Sequence, residues 1–277
     1  MSFDPRRTLA RPDLAARPLE AIVTADRYAD ARRYVCMAPA AALRRAPQAD
    51  AEQLDQLLFG EGFDVLDQTG GFAWGQARRD GYVGFVELDA LKPADGAPNM
   101  KVCAIRTYAF AEPSIKTQAL GPYSLGSLIQ VEAREGRFVK AVGSGWFVQD
   151  HLAQIGVFET DPAAVAERYL GAPYLWGGRE SLGVDCSGLV LQALGACGVA
   201  WPRDTDQQQA MGSALAEGEL ARGDLVFWKG HVAMMLDGER IIHANAHHMA
   251  TAIEPLSVTR ARYVAAAVGE PTAFRRY

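Results

Sequence analysis

Cysteine is scarce: Cys36, Cys103, Cys186 and Cys197 are the four in 277 residues. They are widely spaced with no CxxC pair, so neither a zinc site nor a disulfide framework is expected, and the usage suits a reducing compartment. A basic surplus is also missing, since 28 Lys and Arg face 33 Asp and Glu, a net charge of −5. Nothing is left to neutralise a phosphate backbone, so nucleic acid is not an expected partner. No run of about 18 apolar residues occurs, so no spanning helix and no membrane partner are expected. The 27 glycines and 14 prolines are too few for a collagen-like or low-complexity chain. Arg6-Arg7 could open a twin-arginine signal, but Thr8-Leu9-Ala10-Arg11-Pro12-Asp13 follows, broken by charge and proline. Asp4, Asp13 and Glu20 oppose a transit peptide. The expectation is a cytoplasmic protein, unless an export signal has been trimmed away.

What is present is ordinary globular material: 49% hydrophobic and 22% charged residues, enough for two or three domains. Residues 1–31 read as an arm with Pro5, Pro12 and Pro18 and a short helix near Asp26–Ala31. Residues 32–95 carry short β runs at Tyr34–Met37, Phe63–Asp67, Phe72–Ala77 and Tyr82–Leu88, punctuated by glycine turns. That texture predicts a small β barrel. Residues 96–157 repeat it, with runs at Cys103–Tyr108, Ser127–Ala133, Phe138–Val142 and Gly145–Val148, and Trp146 placed as Trp74 is in the first. Two tandem SH3-like barrels are expected. From 158 to 277 the pattern changes. Asp161-Pro162 starts a helix and Gly171 stops it; a second helix follows Asp185 and ends at Gly198; Asp204 caps a third. Strands are expected at Asp224–Trp228, His231–Leu236, Ile241–Ala246 and Tyr263–Val268. Helices first and an antiparallel sheet after make an α+β domain.

Cys186 is the most informative residue, one position after an N-cap Asp in the first turn of a helix. The positive helix end favours a thiolate, so a depressed Cys186 pKa is expected. A nucleophilic cysteine also needs a base and an orienting partner. His231 and His243 lie on successive strands either side of Asp237-Gly238, so a Cys–His–His triad can be drawn, with His231 as base and His243 fixing its tautomer. The same residues also suit a small buried thiol and two packed histidines. Cys36, Cys103 and Cys197 read as packing. His243, His247 and His248 could form a metal tract, but residues four apart on a strand are too distant to chelate easily, so no metal and no cofactor are expected. The triad also constrains the hairpin. A two-residue turn at Asp237-Gly238 pairs 231 with 244 and puts His243 on the wrong face, because side chains alternate. An odd-length loop is required: with 236–238 as loop His231 opposes His243, and with 237–239 it opposes Asn245.

Six motifs occur in order: Pro173-Tyr174-Leu175-Trp176-Gly177-Gly178, Asp185-Cys186-Ser187-Gly188-Leu189-Val190, Pro202-Arg203-Asp204-Thr205, Arg222-Gly223-Asp224-Leu225-Val226-Phe227, His231-Val232 and Ile242-His243-Ala244. Together they resemble the NlpC family of papain-like cell-wall cysteine peptidases, over roughly Pro162 to Val268. The resemblance implies hydrolysis of the γ-D-glutamyl–diamino acid bond in peptidoglycan stem peptides. The two barrels resemble modules of one branch, which implies preference for free peptides starting with L-Ala-γ-D-Glu, as in murein recycling. By resemblance Cys186 is nucleophile, His231 base and His243 the third member, and Tyr174 assists the oxyanion. Asp185 and Ser187 would take the peptide's amino end, Asp204 and Thr205 line that pocket, and Trp176 forms an apolar wall. Glu61 and Tyr82 match the branch's substrate-facing barrel positions; a turn acid and a barrel-packing aromatic are the plain alternatives. Two rivals stand beside this reading. A wall-peptide binding protein with a dead peptidase domain is opposed by the intact Cys186, His231 and His243. A papain-like acyltransferase would want an apolar cleft or membrane segment that the sequence does not display.

Overall fold

The computed structural model describes residues 3–277. The chain forms two compact units, one running to Ile155 and one spanning Gly156–Tyr277.

In the first unit a seven-stranded antiparallel sheet covers the first barrel stretch. Its order is Gln53–Leu58, Ala40–Arg44, Val83–Glu87, Phe72–Ala77, Gly62–Thr69, Arg32–Cys36 and Leu91–Pro93. The first two strands went unread in the sequence. Asp55 and Gln56 are buried in the Gln53–Leu58 strand, so its pattern does not alternate as a half-buried strand should. Leu57 from that strand joins Leu43, Phe63, Val65 and Val86 in one core. The following stretch divides differently, into a three-stranded and a five-stranded sheet. Its core of Val102, Ile129, Val139 and Phe147 takes in Phe59 from the preceding stretch. Gly60 sits at that junction with φ +78°, and a Cβ there would lie 2.0 Å from the Leu128 carbonyl oxygen. Only glycine allows the two backbones so close. The arm packs Leu9 and Leu14 onto Trp74 and Val83, and the Arg11 guanidinium lies 4.1 Å from the Trp74 ring centre. The expected helix near Asp26–Ala31 is not formed. Tyr28–Ala29 instead pairs in parallel with Ala15–Ala16, and the Ala15 amide bonds the Arg27 carbonyl, so the backbone groups there bond across the arm rather than along a helix.

The second unit is α+β. Helix α1 (Pro162–Glu167) is capped by Asp161, whose Oδ1 accepts from the Ala163 and Ala164 amides at 2.9 and 3.2 Å. Helix α2 (Cys186–Ala196) is buried at every residue except Gly195, as a helix apolar on most sides is, and its two polar side chains are bonded, Ser187 to Arg203 and Gln192 to Arg179. It packs on α1 and on the strands of His231 and His243. Helix α3 (Thr205–Gln209) follows Asp204. A six-stranded antiparallel sheet has the order Ser213–Ala214, Ala273–Arg276, Leu225–Trp228, His231–Met235, Arg240–Asn245, Ala250–Pro255. The strand expected at Tyr263–Val268 is instead the end of helix α4 (Leu256–Ala265). Its Tyr-Val-Ala-Ala run looks β-like, but Leu256, Thr259 and Tyr263 recur at helical spacing and put one face on the sheet. Three strands of this sheet went unread, Ser213–Ala214, Ala250–Pro255 and Ala273–Arg276.

Candidate active site

Asp185 builds the mouth of α2. Its backbone is extended, and its Oδ1 accepts from the Gly188 amide at 2.7 Å, which fixes Cys186 as the first helical residue. Its Oδ2 accepts from the Gly177 amide at 2.8 Å and braces the Trp176-Gly177-Gly178 loop over the helix start. A Cβ on Gly188 would lie 2.2 Å from the Gly178 carbonyl oxygen, so that loop seats only over glycine. Arg203, fully buried, grips the same carboxylate with two bonds of 3.0 and 2.6 Å and reaches Ser187 Oγ at 2.7 Å. Ser187 Oγ also donates to Asp185 at 3.2 Å. A carboxylate has about four lone-pair positions, and five donors already converge on this one. Asp185 and Ser187, read from the sequence as holders of the peptide's amino end, are thus first of all internal braces of the turn that carries Cys186. Arg203 lay inside a quoted motif without a role; nothing in sequence spacing says that an arginine is buried.

The histidines come from the sheet. His231 pairs with Trp228 across a tight turn at Lys229-Gly230. The next hairpin pairs Met234 with Ile242 and Met235 with Ile241, and the Leu236 amide bonds the Arg240 carbonyl at 2.8 Å. The loop is therefore Asp237-Gly238-Glu239, the second of the two odd-length options. The Asp237 carboxylate closes it by accepting from the amides of Glu239 and Arg240 at 2.9 and 2.7 Å. That register puts both imidazoles on one face, and His231 Nε2 lies 2.8 Å from His243 Nδ1. The Cys186 sulfur accepts from the Val232 amide, which places it at the beginning of the His231 strand. Thr205 Oγ1 stands 3.8 Å from that sulfur.

Electrostatics correct one expectation. Burial, with Asp185 adding to it, pushes the Cys186 thiol up to about 11; the Val232, Thr205 and Arg203 contributions oppose this and lose. Burial and then His243 push His231 well below the ordinary imidazole value. Burial takes His243 down to about 4 against the opposing pull of Glu254. The resting site thus holds a neutral thiol and two neutral rings. Tyr174 is pushed up by burial and then by Cys186 and Asp185, so its hydroxyl stays a proton donor.

Three residues the sequence did not single out complete the site. His243 Nε2 lies 2.8 Å from Glu254 Oε1. Arg262 holds both oxygens of Glu254. The Tyr263 ring meets His231 edge-on at 5.4 Å and Trp228 at 5.2 Å. The signal for Glu254 was weak, because its strand reads Ala-Thr-Ala-Ile-Glu-Pro with little β texture. Trp176 is 58% exposed and so does not pack in the core. Asp204 stands at the N-cap position of α3. Glu61 and Tyr82 lie in the other unit. There Glu61 accepts from the Leu58 amide at 2.9 Å and lies 3.6 Å from Arg79, and Tyr82 packs in the core of the seven-stranded sheet. His243, His248 and Glu254 bring one ligand atom each within 4.8 Å of one another. The Arg262 cation already occupies Glu254, so a metal ion would have to displace it.

The NlpC/P60 family profile matches residues 171–267, which contain this whole cluster. Residues 171–267 are an NlpC/P60 domain. A bacterial dipeptidyl-peptidase Sh3 domain profile matches 43–91, within the seven-stranded sheet. Among curated relatives, the chain is similar to the γ-D-glutamyl-L-lysine dipeptidyl-peptidase of Bacillus cereus, 35% identical over 97 residues, covering 32% of this chain and 29% of that one. The protein of that name from Bacillus subtilis is 34% identical over 103 residues, 34% of each chain. The chain spans about a third of the length of these curated relatives. A crystal structure of an NlpC/P60 family protein from Bacillus cereus shares the fold at TM-score 0.77, with 20% identity, covering 88% of this chain and 99% of that one.

Proposed function

We propose that the protein is a cysteine peptidase that hydrolyses the γ-D-glutamyl–diamino acid bond of peptidoglycan stem peptides. The 2.8 Å contact between His231 and His243, opposite a cysteine in the first turn of α2, carries this reading. In the reaction, His231 takes the Cys186 proton as sulfur attacks the γ-glutamyl carbonyl. The Cys186 amide, among the first-turn amides without an intrahelical partner, and the Tyr174 hydroxyl face the developing oxyanion. His231 then returns its proton to the departing diamino acid nitrogen, and water releases the acyl group by the reverse sequence. Transfer from thiol to imidazole leaves the pair with no net charge, which suits a buried site.

The preferred substrate in this reading is a free peptide beginning with unblocked L-Ala, as in murein recycling. Support comes from the dipeptidyl-peptidase names of the relatives and of the matched Sh3 profile. Residues 96–157 are read as a second SH3-like module, on the strength of eight short strands, in a three-stranded and a five-stranded antiparallel sheet, around one apolar core. The sparse cysteines favour a cytoplasmic setting, which cell fractionation would test. Incubation with L-Ala-γ-D-Glu-diaminopimelate should release the dipeptide, and Cys186→Ala should abolish release with the fold intact. Acetylating the L-Ala amine should lower kcat/KM by roughly 10² or more. Equal cleavage of intact peptidoglycan and free tripeptide would defeat the free-amine reading.

A further inference from the structure

Glu254 is 9% exposed and Arg262 holds it from the next helix, yet neither has a part in the bond-breaking steps above. Their geometry dictates where protons sit. Burial alone would raise the Glu254 carboxyl, but hydrogen bonds, above all from Arg262 and then from His243, hold it at about 2. An ionised carboxylate only accepts. His243 must therefore carry its proton on Nε2 and donate it across 2.8 Å to Glu254. A neutral imidazole has one ring proton, so His243 Nδ1 is bare and accepts from His231 Nε2–H, again across 2.8 Å. His231 has then spent its only proton, and its Nδ1 is bare.

Without an acid at position 254 the pair has a second, equally bonded arrangement. His243 Nδ1–H would donate to His231 Nε2, and His231 would carry no proton there and could hold one on Nδ1. That nitrogen could not then accept from a thiol. We propose that Glu254, clamped by Arg262, is a positioning residue that sets the tautomers of both histidines and leaves His231 Nδ1 free to take the Cys186 proton. The clamp spans the last sheet strand and α4, so the carboxylate cannot swing to solvent: Arg262 Nη1 bonds Oε2 at 2.9 Å and Nη2 bonds Oε1. This rests on reading Cys186 as nucleophile and His231 as base.

Imidazole ¹⁵N spectroscopy of the full chain near pH 7.5 tests it directly. Expected are a protonated Nε2 and bare Nδ1 on both His231 and His243. Glu254→Gln keeps the size but can present an N–H to His243; it should populate the reversed arrangement and slow iodoacetamide alkylation of Cys186 by about 10- to 100-fold. A wild-type spectrum with His243 protonated on Nδ1 overturns the proposal, whether or not the variant folds. So does a folded Glu254→Gln protein with wild-type tautomers and alkylation rate. Turnover surviving in Cys186→Ala would instead defeat the nucleophile reading, so the two failures are told apart.

Discussion

At Cys186 two effects of opposite sign meet. A helix N-terminus stabilises an anion by about 0.3–1 kcal/mol, less than one pKa unit. Burial moves an ionisable group by as much as about 3–5 units. Burial wins, and the thiol rises to about 11. In the proposed mechanism the thiol therefore loses its proton to His231 rather than to water. His231→Ala should slow alkylation of Cys186 by about 100-fold while Cys103 and Cys197 react as before. An unchanged Cys186 rate would mean that the thiolate forms without the imidazole. Arg203 supplies a second prediction at this scale. It lies in a buried pair with Asp185, and removing one partner leaves the other charge uncompensated. Arg203→Ala should cost about 3–5 kcal/mol in urea unfolding; a loss below about 1 kcal/mol would show that the pair is dispensable.

The hairpin between the two histidine strands is the element on which the site turns. Its three-residue loop puts His231 and His243 on one face, whereas the favoured two-residue Asp-Gly turn would have separated them. Deleting Glu239 should restore the shorter turn, flip His243 to the opposite face and lower kcat by about 10³ or more, as loss of an orienting residue does. A deletion variant with near-normal turnover would show that His243 is not needed. Which odd-length loop forms could not be read from residues 236–239. The Asp237 carboxylate selects it by capping the Glu239 and Arg240 amides. Helix α4 shows the same limit: its β-rich wording was overridden by tertiary packing of one face.

Across the whole molecule the two buried histidines tie stability to pH. Each has a folded pKa below its unfolded value near 6.5, His243 at about 4 and His231 lowered in the same direction. Below pH 6.5 the unfolded chain therefore binds more protons than the folded one. The stability they contribute is complete above that pH and is lost as pH falls toward the folded values, at up to about 1.4 kcal/mol per pH unit for each ring. Urea midpoints should drop between pH 7 and 4.5, and His243→Asn should flatten the slope. Stability that rises on acidification would mean that the rings are charged in the folded state.

The amino-acid sequence alone singled out Cys186, its helix, His231, His243 and the change from β to α+β texture near residue 158, because caps, turns and ordered motifs are written in a few neighbouring residues. It also demanded an odd-length hairpin loop once both histidines were required on one face. Tertiary structure decided the rest. That Asp185 is consumed by Arg203, that Glu254 and Arg262 stand behind His243, and that burial outweighs the helix end at Cys186 all depend on groups brought together from distant parts of the chain. Proximity of that kind leaves no periodicity in the sequence, and burial, which sets the protonation of every group in the site, exists only after the chain has folded.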